Sequence, residues 1–136
     1  MNELERIEFN VRTQLSDGPG INSVDEYIER AAELGHKAIA ITDLNGVQSF
    51  KEAEEAGEKY GIKIIYGIEM EVIDVERIET QDYLDKYGYN TTKLTYPEIL
   101  PKSYNMTIYV KNQKGLSILY KLISEAYTEL FYEKQE

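Results

Sequence analysis

The chain has no cysteine, no tryptophan and one histidine in 136 residues. Without cysteine there is no disulfide, no thiolate metal site and no cysteine nucleophile, which agrees with a reducing compartment. Basic residues are also scarce. Fifteen Lys and Arg stand against 25 Asp and Glu, a formal net charge of −10. Nonspecific nucleic-acid binding draws most of its energy from cations that displace counterions from phosphates, so no direct nucleic-acid binding is expected of this piece. Long apolar runs are missing too. None approaches the roughly 18 residues of a membrane span, and Met1-Asn2-Glu3-Leu4-Glu5-Arg6 lacks the basic-then-apolar order of a signal peptide. The expected location is cytoplasmic, with no membrane partner.

What is present suits one globular domain over residues 1–136: 42% apolar and 29% charged residues. Val24, Ile28, Ala31, Ala32 and Leu34 recur at helical spacing. Ser23 and Glu26 form a candidate capping box before them, and Gly35 is the stop. Lys37 to Thr42 is a short, nearly continuous apolar run, the pattern of a strand buried on both faces. A second amphipathic helix is expected from Val47 to Tyr60, with Phe50, Ala53 and Ala56 on one face and Gly61 as its stop. Ile62 to Ile68 is expected to be another buried strand.

Strand, helix, strand, helix, strand at short connections implies parallel pairing through right-handed crossovers, hence an α/β fold. Periodicity leaves open whether the sheet is doubly wound or closed as a barrel. Phe9, Ile39, Ile41, Ile64 and Ile65 are the expected core of the strands. Met106 to Val110 is expected to be a later strand, and Leu116 to Tyr127 a helix with Leu116, Leu119, Ile123 and Tyr127 facing inward. Between Asp74 and Ser103 the pattern dissolves. Tyr83, Tyr87, Tyr89 and Tyr96 are β-prone without clean alternation, and Pro97 and Pro101 punctuate the exit. An irregular excursion is expected over 74–103, with a short helix near Gln81 to Tyr87.

Four segments carry a family resemblance. Asn10-Val11-Arg12-Thr13-Gln14-Leu15-Ser16-Asp17-Gly18 has the spacing of His-x-His-x-x-x-Ser-Asp-Gly. Gly35 to Leu44 ends in Thr42-Asp43-Leu44, where a histidine normally follows Thr-Asp. Tyr60 to Glu69 ends in a glutamate after a strand. Tyr104-Asn105 opens a strand followed by the turn Lys111-Asn112-Gln113-Lys114-Gly115. Together these resemble the PHP (polymerase and histidinol phosphatase) domain, in the branch at the N-terminus of bacterial DNA polymerase III alpha subunits, PolC-type. The resemblance covers Ile7 to about Val72 and Ser103 to Tyr132. It implies a distorted (β/α)7 barrel of parallel strands alternating with helices, of which this chain holds about half. In that branch a proofreading exonuclease is inserted near the excursion, but about 30 residues cannot hold such a domain.

The resemblance also implies a cup of histidines and carboxylates that hold divalent metals for phosphoester hydrolysis. The implied ligand positions carry Asn10, Arg12, Leu44 and Asn105, and of the carboxylates Asp17 and Glu69 remain. A guanidinium stays protonated, has no lone pair to donate and repels a dication. Leu44 offers only hydrocarbon, and the amides of Asn10 and Asn105 are poor ligands for zinc or manganese. Asp17 and Glu69 alone would make at best a weak magnesium or calcium site. No catalytic residue, bound metal or cofactor is therefore expected.

Alternation sends residues 10 and 12 to one face, so Arg12 is expected in the cup, paired with Glu69 or Asp17 and able to hold both. Asp17, beside Gly18, is also a natural turn former. Asp43 is expected to hold loop amides beside Asn45-Gly46, and His36 to sit at a helix C-terminus away from the cup.

These readings favour a non-catalytic scaffold module of a replicative polymerase whose partners are that polymerase's other domains or subunits. Self-association remains an open alternative. So does a phosphoesterase with a reduced metal site at Asp17, Glu69 and Asp43, and so does a stand-alone protein-binding module that uses the tyrosine-rich excursion.

Overall fold

The computed structural model describes residues 6–17, 20–73 and 103–128. In chain order these form β1 (Ile7–Val11), α1 (Val24–Glu33), β2 (Ala38–Ile41), α2 (Phe50–Tyr60), β3 (Lys63–Ile73), β4 (Ser103–Tyr109) and α3 (Gln113–Thr128). Apart from Ser103, which opens β4, the excursion expected over 74–103 lies outside the described residues, as does its short helix.

Helix α1 begins and ends as its sequence dictates. The Ser23 hydroxyl accepts the Glu26 amide at 3.3 Å, and the Glu26 carboxylate accepts the Ser23 amide at 2.8 Å. Two of the donors that a helix start leaves unpaired are thereby satisfied. At the other end Gly35 adopts φ +74°, and its amide and that of His36 donate to the carbonyls of Ala32 and Ala31. This is the Schellman arrangement that only a residue tolerant of positive φ closes without strain. Helix α2 starts at Phe50 rather than Val47, and the hydroxyl of its N-cap residue Ser49 donates to Asp43 instead of capping the helix.

The described strands form one sheet in the order β1-β2-β3-β4. Strands β1, β2 and β3 are parallel, with Ala38↔Lys63 through Ile41↔Tyr66 in register. Strand β4 departs from that pattern and runs antiparallel to β3, from Gly67↔Tyr109 to Ile73↔Ser103. All four residues of β2 are buried, as a central strand covered on both faces requires. On the helix side, Val11, Ile39, Ile41 and Ile62 pack with Val24, Ile28, Ala31, Ala53 and Ala56. A second cluster joins Phe50 and Ile68 to Leu119 of α3, with Leu116 and Ile123 packed against it.

Three of the five expected core residues of the strands are corrected. Phe9 is 52% exposed, and Ile64 and Ile65 are only half-buried. The cause for Phe9 is a register break in β1: Glu8 pairs with Ile39 and Val11 with Ile41, so one strand spends an extra residue and the alternation resets. Leu34, at 57%, and Tyr127, at 48%, are also exposed.

Phe9 instead meets Tyr109, edge to face, with ring centroids 6.1 Å apart, and the Tyr109 hydroxyl donates to the Phe9 carbonyl at 2.6 Å. The two outermost strands in the sheet order therefore touch, so the sheet is curled into a half barrel. Gly67 lies under this contact. A Cβ there would sit 2.9 Å from the Ile108 carbonyl oxygen and 3.2 Å from Tyr109 Cδ1, so the close approach requires glycine. Among the described residues no helix is long and apolar enough to cross a membrane.

Candidate functional site

The loops that leave β1 and β2 meet the middle of β3 on the curled sheet, and polar side chains join them. Asp43, in the loop after β2, is the hub of the first group. Only 1% exposed, it accepts the Thr13 amide at 2.5 Å and the hydroxyls of Thr13 and Ser49, each at 2.8 Å. Its backbone carbonyl accepts the Glu69 amide at 3.0 Å, and the Asn45 amide returns to the Glu69 carbonyl at 2.8 Å. Leu44 and Glu69 form the isolated parallel bridge between these bonds. Asp43 thus does hold a loop amide, that of Thr13. The sequence had singled out neither Thr13 nor Ser49, whose roles depend on chain closure and leave no periodic signal.

The second group centres on Glu69, 7% exposed. Arg12 donates to its Oε2 through Nη2 at 2.6 Å and Nε at 3.1 Å, while Asn105 Nδ2 donates to Oε1 at 2.8 Å. Arg12 therefore lies in the cup as expected, although it stands one residue past β1 and beyond the break in that strand's register. It does not hold both carboxylates, however. Its Nε and Nη2 donors converge on one oxygen of Glu69. Asp17 is exposed on its own turn, with its amide on the Leu44 carbonyl at 3.1 Å and its carboxylate 3.5 Å from Asn45 Nδ2. The reason is that Ser16 and Asp17 are both tied to the backbone of Leu44 in the loop after β2, Ser16 by accepting the Leu44 amide at 2.9 Å. Asn10 accepts the Thr42 hydroxyl at 2.9 Å. His36 follows the end of α1 and, together with Asn10 and Arg12, lines a cavity of about 400 Å³ between α1 and β1.

Hydrogen bonding from Arg12 holds the Glu69 carboxyl below the usual carboxylate range. Burial pushes the other way, and Asn105 adds to the lowering. A carboxylate whose folded-state pKa is depressed stabilises the fold above its unfolded-state value and loses that contribution as pH falls through the folded value. The stability gap between the native chain and Glu69→Gln is therefore expected to be full at neutral pH. It should shrink below the ordinary carboxylate pKa of 4.5, measured by urea unfolding at stepped pH. A gap that does not change with pH would refute this origin.

These side chains do not fit a zinc or manganese centre. A guanidinium stands 2.6 Å from the carboxylate, and the amide of Asn105 turns its NH2 donor, not its oxygen, to the same group. Among the described residues no three His, Asp or Glu side chains are grouped to hold a metal ion.

Residues 8–136 match the PHP domain model of known families. The chain belongs to the PHP domain family. Relatives include the DNA polymerase III PolC-type of Staphylococcus saprophyticus, 49% identical over 72 residues, and that of Caldanaerobacter subterraneus subsp. tengcongensis, 49% identical over 74. These stretches cover 53% and 54% of this chain but 5% of each relative, so the chain corresponds to a small part of those proteins. A crystal structure from Bifidobacterium adolescentis, assigned as a metal-dependent phosphoesterase, superposes with a TM-score of 0.53 at 20% identity. It covers 85% of this chain and 32% of its own. At that identity the likeness supports the PHP fold, here as part of a distorted barrel.

Proposed function

We propose that this chain is a non-catalytic PHP module that serves as a scaffold within a replicative DNA polymerase III of PolC type. The observation that carries the reading is the Arg12–Glu69 ion pair, which sets a permanent cation against the carboxylate that the family pattern assigns to a metal. The likeness to PolC-type polymerases supports the setting. In it the module is cytoplasmic, its partners are other domains or subunits of the polymerase, and the net charge of −10 leaves the grip on DNA to another part.

A reduced-metal phosphoesterase finds no support in the geometry. Asp43 is engaged by three donors, Glu69 by Arg12 and Asn105, and Asp17 stands on a separate turn. Any magnesium or calcium binding at Asp17 and Glu69 would be weak. Calorimetric titration with zinc and with manganese is expected to show no site tighter than about 1 μM, roughly 8 kcal/mol. An activated phosphodiester should not turn over. A tighter site, or metal-dependent hydrolysis that Glu69→Gln abolishes, would return the chain to the phosphoesterases.

A further inference from the structure

We infer that the Arg12 guanidinium is a resident structural cation, tying β1, β3 and β4 together through Glu69. The inference rests on the reading that the cup takes no metal, and it adds what holds the strand ends in place. Strands β1 and β3 are not hydrogen-bonded neighbours, because β2 separates them in the sheet. Arg12, the residue after β1, spans that strand to reach Glu69, 57 positions away. From the other side comes Asn105. In the β3–β4 ladder Glu69 pairs with Thr107 and Glu71 with Asn105, so Asn105 is the diagonal neighbour on the face of Glu69. Both carboxylate oxygens are thereby engaged, each from a different strand region, at 2.6 and 2.8 Å.

A buried carboxylate is costly unless paired and hydrogen-bonded, and Glu69 is 7% exposed. Its pairing with Arg12 therefore offsets that cost at the point where the three strand regions meet. Arg12 is suited to the role because its side chain is only 30% exposed and its planar fork directs two donors to one point. Unlike a metal ion, this cation cannot be chelated away.

The test is a double-mutant cycle on the full chain, read by urea unfolding at neutral pH with and without EDTA. EDTA should not shift the native midpoint. Arg12→Met should lower the folded-to-unfolded ratio by roughly 30-fold. Arg12→Met with Glu69→Gln should recover part of that loss, because a neutral amide replaces the stranded carboxylate. If Arg12→Met does not fold, Glu69→Gln alone decides, with a lowered ratio expected and an unchanged one overturning the inference. Additive single effects would overturn it as well, while the metal-free reading stands. A midpoint lowered by EDTA would overturn both.

Discussion

Replacing Asp43 with alanine is expected to lower the unfolding free energy by about 3 to 5 kcal/mol, since it strands several buried donors at once. The Thr13 amide has no second partner among the bonds described, and the hydroxyls of Thr13 and Ser49 both lose their acceptor. Each of the three is 1% exposed or less in its own residue or at Asp43, so water does not readily replace the carboxylate. Asp43→Asn keeps the shape but turns an NH2 group towards donors, so it should recover only part of the loss. Urea unfolding with an unchanged slope would confirm that the native state alone is weakened. A loss below about 1 kcal/mol would mean that the loops are held by their backbone bonds and not by this side chain.

Ile39→Ala is expected to cost about 2 to 5 kcal/mol through the cavity left behind. Ile39 is 2% exposed in the central strand and packs within the cluster that joins α1 and α2 to the sheet. Phe9→Ala is the informative comparison. Phe9 is the larger residue and was expected from its position in the strand to be as deeply buried, yet it is half in solvent and its main partner is the Tyr109 ring. Its loss should cost about 1 kcal/mol. Thermal and urea unfolding of the two variants side by side would check the order. If Phe9→Ala proved the more damaging, the assignment of the two faces of β1 would be wrong.

Much of the α/β pattern was legible because it depends on neighbours a few residues apart. The capping box of Ser23 and Glu26, the stop at Gly35 and the four buried residues of β2 follow from backbone periods and local hydrogen bonding. The destination of Arg12 was legible for a related reason. The motif spacing identified the strand end, and a charge placed there needs a counter-charge that Glu69 supplies.

Other features were decided only when distant segments met. The face taken by Phe9 turns on one extra residue between Glu8 and Val11, and a single-residue shift reverses every side chain beyond it. Thr13 and Asp43 are 30 positions apart, and their bond exists because two loops close over the same strand end. The direction of β4 and the diagonal placement of Asn105 on Glu69 likewise depend on which strand lies alongside. The sequence by itself determined the elements, their caps and the chemical character of the cup. The tertiary structure decided which polar groups share it, because hydrogen-bond partners are set by the three-dimensional closure of loops and strands rather than by the local period of the chain.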